Sequence, residues 1–418
     1  MLSTARGSIY CCALPIQTAA TADDRKLAAH RIFPPRARPV ARIVIAAIGF
    51  RLFSALLAFL ANVVFPDYQR EPFTMWGTTN LFWDTFTRYD SGWYFGIARN
   101  GYDVGPALAG GRSNIAFFPV YPLLMRYVGR LFGRAPGDVY LGGIVVAWVS
   151  FVLAMVGLYY LARLDLPARR AERAVLAAAV FPFAFFFGVA YSESTFLLFT
   201  VASFYFFRSG KWIPAGACGA IATATRVNGI FMLPAVAWLA WQRAGPILRD
   251  RLLAAFAVAV VASGFGAYCL FIYRETGHPL MWATALQRWG YYPGGAPWTA
   301  PIDLLRALLT RPYAFLVESR LAPYDTLNGL TAIACFASMP FVWRRLGAAY
   351  GLLILANLWL PLSSGQFEGL GRYCAVLFPA FIWLGTLRSR FVFDAVIVVF
   401  ALLYTLCLAL FTNIHPLF

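Results

Sequence analysis

Acidic side chains are scarce in this chain: Asp and Glu together number 18 among 418 residues, and charged residues of all kinds make up 13%. A soluble domain carries about twice that charged fraction, so a water-soluble globular protein is excluded. Lysine is nearly absent; Lys26 and Lys211 stand among 35 basic residues, and the rest are Arg. Histidine occurs three times, and His278 and His415 have no partner at ligand spacing, so no metal site is expected. The seven Cys show neither metal nor disulfide spacing; Cys218, Cys269, Cys335, Cys374 and Cys407 lie in apolar runs and read as small buried hydrophobes. No internal repeat is evident.

What fills the chain instead is apolar: 61% hydrophobic residues, 17% aromatics and a mean hydropathy of +0.66. The fold class expected is an all-α polytopic membrane protein. A net charge of +17 would raise nucleic acid as a partner for a soluble protein. Here the charges are scattered through short loops between apolar runs, so no nucleic-acid partner is expected. Arg112, Arg126, Arg130 and Arg134 suit contacts to membrane-lipid phosphates at the interface.

Residues 1–40 are polar, aperiodic and rich in Arg and Pro, and read as a flexible cytoplasmic tail. Pro15 interrupts the short apolar patch 8–16, which makes a poor signal peptide. A single transmembrane domain is expected over 41–418. About eleven spans are read: 43–65, 139–161, 174–190, 194–207, 212–225, 229–241, 252–273, 326–343, 346–361, 373–387 and 391–412. Several are shorter than the ~20 residues of a straight crossing. Arg51, inside the first, is expected to snorkel or pair. Two long loops remain, 66–138 and 274–325; the second holds an aromatic, Gly/Pro-rich patch at 289–298 that reads equally as a substrate lid or an interface anchor.

Lys and Arg in short loops set the orientation. One set of loops holds thirteen (Arg163, Arg169, Arg170, Arg173, Arg208, Lys211, Arg243, Arg249, Arg251, Arg344, Arg345, Arg388, Arg390), while the short loops of the alternate set hold only Arg226 and Arg372. The first set is therefore expected to be cytoplasmic, with the N-terminus inside and both long loops outside.

That topology gathers the unusual polar groups on one face: Asp90 in the first long loop, Ser192-Glu193 between two spans, Arg226 and Asn228 at the next break, and Gln366, Glu368 and Arg372 in a late loop. Ionisable groups at membrane depth are costly, so each is a functional candidate. Asp90 heads an amphipathic run, with Trp93, Tyr94, Ile97 and Ala98 on one helical face and Asn100-Gly101 as the stop, and it reads equally as a helix N-cap. Glu368 reads better as an i,i+4 partner of Arg372 than as a site residue. Asp84, Asp103 and Asp138 read as loop solvation.

One carboxylate among several Arg suits a particular chemistry. A sugar on a polyprenyl phosphate carries its own leaving group, so departure needs charge stabilisation, which a planar guanidinium supplies to phosphate. One base must then take the proton of the acceptor hydroxyl. The run Asp90-Ser-Gly-Trp93-Tyr94 with Gly101-Tyr102, Phe117-Phe118-Pro119 with Tyr121-Pro122-Leu123, Ser192-Glu193-Ser194, Arg226-Val227-Asn228-Gly229 and Gly371-Arg372-Tyr373 resembles the PIG-V type mannosyltransferases of the GT-C superfamily, in order, across roughly residues 43–390. It departs at Tyr89, where Trp is expected. The resemblance implies a GT-C-like fold with interfacial helices in the first outer loop, a lipid-phosphate-linked mannose donor and a catalytic aspartate carried onto Asp90.

The expected enzyme is an inverting glycosyltransferase at a bacterial plasma membrane with no cofactor, acting outside on a lipid, glycan or protein hydroxyl. Asp90 is its base, Arg226 and Arg372 hold the donor phosphate, and Trp93, Tyr94, Ser192, Glu193, Asn228 and Gln366 bind substrate. The alternative is a multi-pass transporter or lipid flippase, which would place its charges near the bilayer midplane and repeat its helices.

Overall fold

A computed structural model describes residues 37–68, 80–104, 112–291 and 294–417. Residues 1–36 of the tail expected at 1–40, parts of the first long loop, and Tyr292-Pro293 of the aromatic patch lie outside the described residues. The chain divides into Met1–Arg42 and Ile43–Phe418, and the helical core and the cleft both belong to the second unit.

The described residues form helices and no strand. In chain order these are α1 (Ala37–Val64), α2 (Leu81–Asp84), α3 (Ser91–Asn100), α4 (Val120–Gly129), α5 (Pro136–Arg163), α6 (Ala168–Ala179), α7 (Glu193–Arg208), α8 (Trp212–Thr223) and α9 (Leu233–Arg243). They continue as α10 (Leu248–Thr276), α11 (Met281–Arg288), α12 (Thr299–Thr310), α13 (Pro312–Glu318), α14 (Ala322–Leu346), α15 (Ala348–Ser363), α16 (Leu370–Ala375), α17 (Phe378–Gly385) and α18 (Arg390–Thr412).

Among the described residues five helices, α1 from Pro39, α5, α10, α14 and α18, are long and apolar enough to cross a membrane. Exposed side chains on α1 and α18 include Ile45, Leu52, Phe53, Leu402 and Phe391, as a lipid-facing surface requires. The other six expected spans fall on shorter or broken helices. The run read as 174–190 stops being α-helical at Ala179, and a tight turn and the 3₁₀ segment Ala184–Gly188 follow. Pro182 explains the stop, because it has no N–H for the ladder and disfavours helix in the residue before it. The run 229–241 begins as a 3₁₀ segment, Val227–Met232, and turns α-helical only at Leu233, with Pro234 in the first turn. The run 373–387 breaks between Ala375 and Phe378, just ahead of Pro379. These interruptions bring irregular backbone and polar side chains to the ends of apolar helices, where such backbone survives only if buried in protein or lining a cavity.

Packing follows from these elements. α5 lies on α7, α8 lies between α7 and α10, and α15 contacts both α9 and α14. The core they enclose is dense in aromatics, with Phe151, Phe183, Phe185, Phe186, Phe187 and Phe204 all buried. A smaller cluster, Ile115, Phe118, Tyr268, Ile272 and Ala285, ties the segment after α3 to the end of α10 and to α11.

Arg51 neither snorkels nor forms an ion pair among the described residues. It is 1% exposed, donates to Ala184 O (3.3 Å) and Tyr404 Oη (3.2 Å), and lies 4.3 Å from the Phe151 ring centroid. Its cation is stabilised by a carbonyl, a phenol and aromatic faces rather than by a carboxylate.

The two ends of α7 differ in charge. Glu193 begins it and Arg208 ends it, about 22 Å away at 1.5 Å per residue. At the far end Arg208 makes a two-point contact with Asp165 (2.6 and 2.8 Å) and donates to Tyr350 Oη (2.8 Å). The near end carries the cleft.

Candidate active site

Asp90 sits at the start of α3, but its side chain makes no capping bond. Arg372 takes the carboxylate instead, with Nη1 2.5 Å from Oδ2 across 282 residues of sequence. Asp90 is thus the N-cap residue by position but not by side chain: a charge-assisted contact to a buried guanidinium outcompetes a local N–H. The backbone prepares this placement. Tyr89 has φ +49°, a left-handed conformation that costs a bulky residue about 1–3 kcal/mol. The buried Tyr191 hydroxyl accepts from Asp90 N (3.1 Å) and donates to Arg88 O (3.2 Å), clamping both sides of Tyr89. Arg88 in turn is buried against Asp84 (2.5 Å) and donates from Nε to Thr412 O (3.3 Å). Asp84 is thus 3% exposed and a partner in an ion pair, not a solvated loop residue.

Glu193, expected to bind substrate, is fully buried and is not among the residues lining the cleft. It lies beneath the cleft, with Oε1 2.5 Å from Arg226 Nη1 and 3.8 Å from Arg372 Nε. Both its oxygens lack a well-angled donor, so charge rather than hydrogen bonding holds it. Ser192 is equally buried; its hydroxyl accepts from Arg226 Nη1 (3.1 Å) and lies 2.7 Å from Tyr94 Oη. Ser192 and Glu193 therefore seat the arginines and Tyr94 and do not reach the cleft surface.

Burial works most strongly against the charge on Arg226, but Glu193 together with Tyr94 and Tyr373 holds the guanidinium above its usual pKa. Arg372 is raised likewise, by Asp90 and then Glu193 against burial. Both stay cationic. Arg226 also faces the Tyr373 ring at 5.8 Å, and Arg372 lies 5.5 Å from the rings of Phe186 and Tyr191.

Two glycines make these positions reachable. A Cβ on Gly371 would meet Phe183 ring carbons at 2.3–2.4 Å, so only glycine lets α16 come close enough for Arg372 to reach Asp90. The Gly371 N–H donates to Asn328 Oδ1 (2.8 Å) on α14. A Cβ on Gly229 would meet Thr223 Cα at 2.5 Å, which fixes the turn that carries Arg226 and Asn228.

These side chains open onto a cleft lined by Asp90, Tyr94, Thr225, Arg226, Asn228, Glu368, Arg372 and Tyr373, with Ala116, Phe117, Phe118, Val227, Leu286, Trp289 and Tyr291 as its aromatic and apolar wall. Asn228 is buried within it, its Nδ2 3.5 Å from Asn357 Oδ1 and its own Oδ1 unbonded. Trp93 is one layer back, stacked on Phe117 (centroids 6.1 Å) and edge-on to Trp289 (5.3 Å). Gln366 is exposed beside Gly290 and does not line the cleft. Glu368 lines it and makes no ion pair with Arg372, whose guanidinium is turned towards Asp90 and Glu193; the i,i+4 reading is overturned. Burial pushes the Glu368 carboxyl above its ordinary pKa of 4.5, against the pull of Arg372.

In sequence Trp289 and Tyr291 belong to an aromatic patch open to two readings. In the structure they form one wall of the cleft, with the exposed Arg112 guanidinium 4.7 Å from the Trp289 centroid. Trp298, at the other end of the patch, is exposed and packs edge-on to Trp359. Burial raises the Tyr94 and Tyr291 hydroxyls above their usual range, so both stay neutral hydrogen-bonding groups.

Residues 118–268 match a family described as dolichyl-phosphate-mannose-protein mannosyltransferase. The matched third of the chain includes Glu193, Arg226 and Asn228 and leaves Asp90 and Arg372 on either side. No curated protein matches. Among solved structures the chain is similar to ArnT from Cupriavidus metallidurans bound to undecaprenyl phosphate, at 14% identity and TM-score 0.49, over 88% of this chain and 76% of that one. It is also similar to the Archaeoglobus fulgidus oligosaccharyltransferase tethered with an acceptor peptide, at 12% identity and TM-score 0.38, over 89% of this chain and 55% of that one. The chain thus spans about half the length of that oligosaccharyltransferase.

Proposed function

We propose that this protein is an inverting membrane glycosyltransferase that moves a sugar from a polyprenyl-phosphate donor to an acceptor hydroxyl. The observation that carries the reading is the meeting of Asp90, Arg226 and Arg372 at one aromatic-walled cleft, from loops far apart in sequence. The family match over residues 118–268 supports the same class of reaction.

In this reading the donor phosphate lies against Arg226 and Arg372, and its sugar stands over Asp90. Asp90 takes the proton of the acceptor hydroxyl, the oxygen attacks the anomeric carbon opposite the phosphate, and the anomeric centre inverts. Asn228 has a buried, unbonded carbonyl oxygen and serves as an acceptor for a sugar hydroxyl. The wall of Phe117, Trp289 and Tyr291 offers apolar faces to the sugar ring or the prenyl chain. Mannose is the sugar implied by resemblance and by the family's description. The sparsely basic short loops at the cleft end favour the non-cytoplasmic side for it under the positive-inside rule.

The test is a donor panel. Purified protein in lipid nanodiscs is given polyprenyl-phosphate mannose, glucose, galactose and arabinose together with membrane extract, and release of each sugar is measured. One donor consumed well above the others, with polyprenyl phosphate as the co-product, is the expected result. Consumption of none refutes the reading.

A further inference from the structure

We propose that Arg372 changes partner in the course of the reaction, passing from Asp90 to the leaving phosphate as Asp90 takes up its proton. The exchange rests on the glycosyl-transfer function and adds to it a division of labour between the two arginines.

The two are not equivalent. Arg226 is bound to Ser192 Oγ at 3.1 Å and to Glu193 at 2.5 Å, both fully buried and away from the cleft surface. Its partners are fixed and take no part in the chemistry. Arg372 is bound through Nη1 to Asp90, which is the reactant base, at 2.5 Å. Its Nε is buried without a hydrogen-bond acceptor and is held only by the charge of Glu193 at 3.8 Å. Arg372 thus has one permanent ionic anchor and one partner whose charge the reaction removes.

The electron and proton count makes the exchange favourable. The acceptor O–H bond breaks and its proton goes to Asp90 Oδ. The freed oxygen forms the bond to the anomeric carbon, and the carbon–oxygen bond to phosphate breaks with its electron pair going to the phosphate oxygen. Asp90 goes from one negative charge to none, while the phosphate goes from one to two. Net charge in the cleft is unchanged, and its centre moves from the carboxylate to the phosphate. A guanidinium between the two follows that charge, and Glu193 keeps it from leaving the site. With both side chains largely buried, this shift stabilises the departing group at the moment its charge develops.

The same geometry occupies Asp90 until a donor is bound, because its Oδ2 lies 2.5 Å from the Arg372 guanidinium. A donor phosphate that draws on Arg372 loosens that tie.

Binding of undecaprenyl phosphate to the full chain in nanodiscs, read by tryptophan fluorescence, tests the exchange. Asp90→Asn removes the competing charge and is expected to tighten binding about tenfold, the scale of one lost coupled contact. Adding Arg372→Gln to that variant is expected to abolish the gain. Unchanged or weaker binding by Asp90→Asn overturns the proposal. So does a double variant that keeps the gain, because relief of simple repulsion from Asp90 would then explain it. A structure of the unaltered chain with undecaprenyl phosphate needs no variant: Arg372 on the phosphate and parted from Asp90 supports the exchange, and an intact Asp90–Arg372 contact beside bound phosphate refutes it. Transfer from a donor by the unaltered chain without any gain in Asp90→Asn defeats the exchange alone; absence of both transfer and binding defeats the function itself.

Discussion

Neutralising Glu193 removes the one counter-charge that two buried guanidinium groups share. Its Oε1 lies 2.5 Å from Arg226, with the carboxylate fully buried and the Arg226 side chain 10% exposed. Charge centres about 4 Å apart at an effective dielectric of ~20 attract by about 4 kcal/mol. Removing one partner of a buried pair costs about 3–5 kcal/mol, because the other charge is stranded. The two figures agree, so Glu193→Gln, which keeps the volume, is expected to lower unfolding stability by about 3–5 kcal/mol. Arg226→Gln is expected to cost a similar amount. The double variant strands no charge on this pair, so its cost is expected to fall short of the sum by about 1–3 kcal/mol. The assay is reversible unfolding in mixed detergent micelles for the four members of the cycle. Single costs that add to within about 0.5 kcal/mol would refute the reasoning, since the two charges would then not interact.

The cleft yields three further expected outcomes. Arg226→Ala is expected to raise the donor's KM, lower kcat, or both, and an unchanged donor response in steady-state kinetics would remove it from phosphate binding. Gly371→Ala drives a methyl into the Phe183 ring, at an overpacking cost of about 1–3 kcal/mol, and shifts Arg372; a large drop in transfer without any change to a cleft-lining side chain is expected, and full activity would show that the close approach is unimportant. Burial raises Glu368 above 4.5, so folding favours its protonated form. Its contribution to stability is complete below about pH 4.5 and is lost as pH rises through the shifted value. The melting temperature of Glu368→Gln relative to the unaltered chain is therefore expected to climb over that range and then level off; a constant difference across pH would contradict the burial of this carboxyl.

Much of the cleft was legible because ionisable residues are so rare here. Asp90, Arg226 and Arg372 stand out at the ends of apolar runs, and expense alone marks them. The amphipathic run after Asp90 likewise gives α3 its start, its buried Tyr94 face and its stop at Gly101, where φ is +91°. Depth was not legible. Ser192 and Glu193 sit in a turn between apolar runs that reads as part of the substrate site, yet both are sealed beneath the cleft, because the turn is pulled inward by two arginines from other loops. Hydropathy counts 174–190, 229–241 and 373–387 as ordinary spans, since it weighs apolar content and not the local effect of Pro182, Pro234 and Pro379 on the helical ladder. The i,i+4 spacing of Glu368 and Arg372 suggests a pair, and a long-range partner wins instead. The placement of Trp289 and Tyr291 depends on how the loop after α10 folds back, which no local periodicity encodes.

Turnover by Asp90→Asn, compared with the unaltered chain in the same nanodiscs with the preferred polyprenyl-phosphate sugar, tests the role of the central carboxylate most directly. The variant is expected to fold, to bind the donor and to lose sugar transfer by about 10²-fold or more, the scale of a missing general base. Transfer at a near-normal rate would mean that the carboxylate held by Arg372 is not the base, and the proposed chemistry would have lost its reacting group.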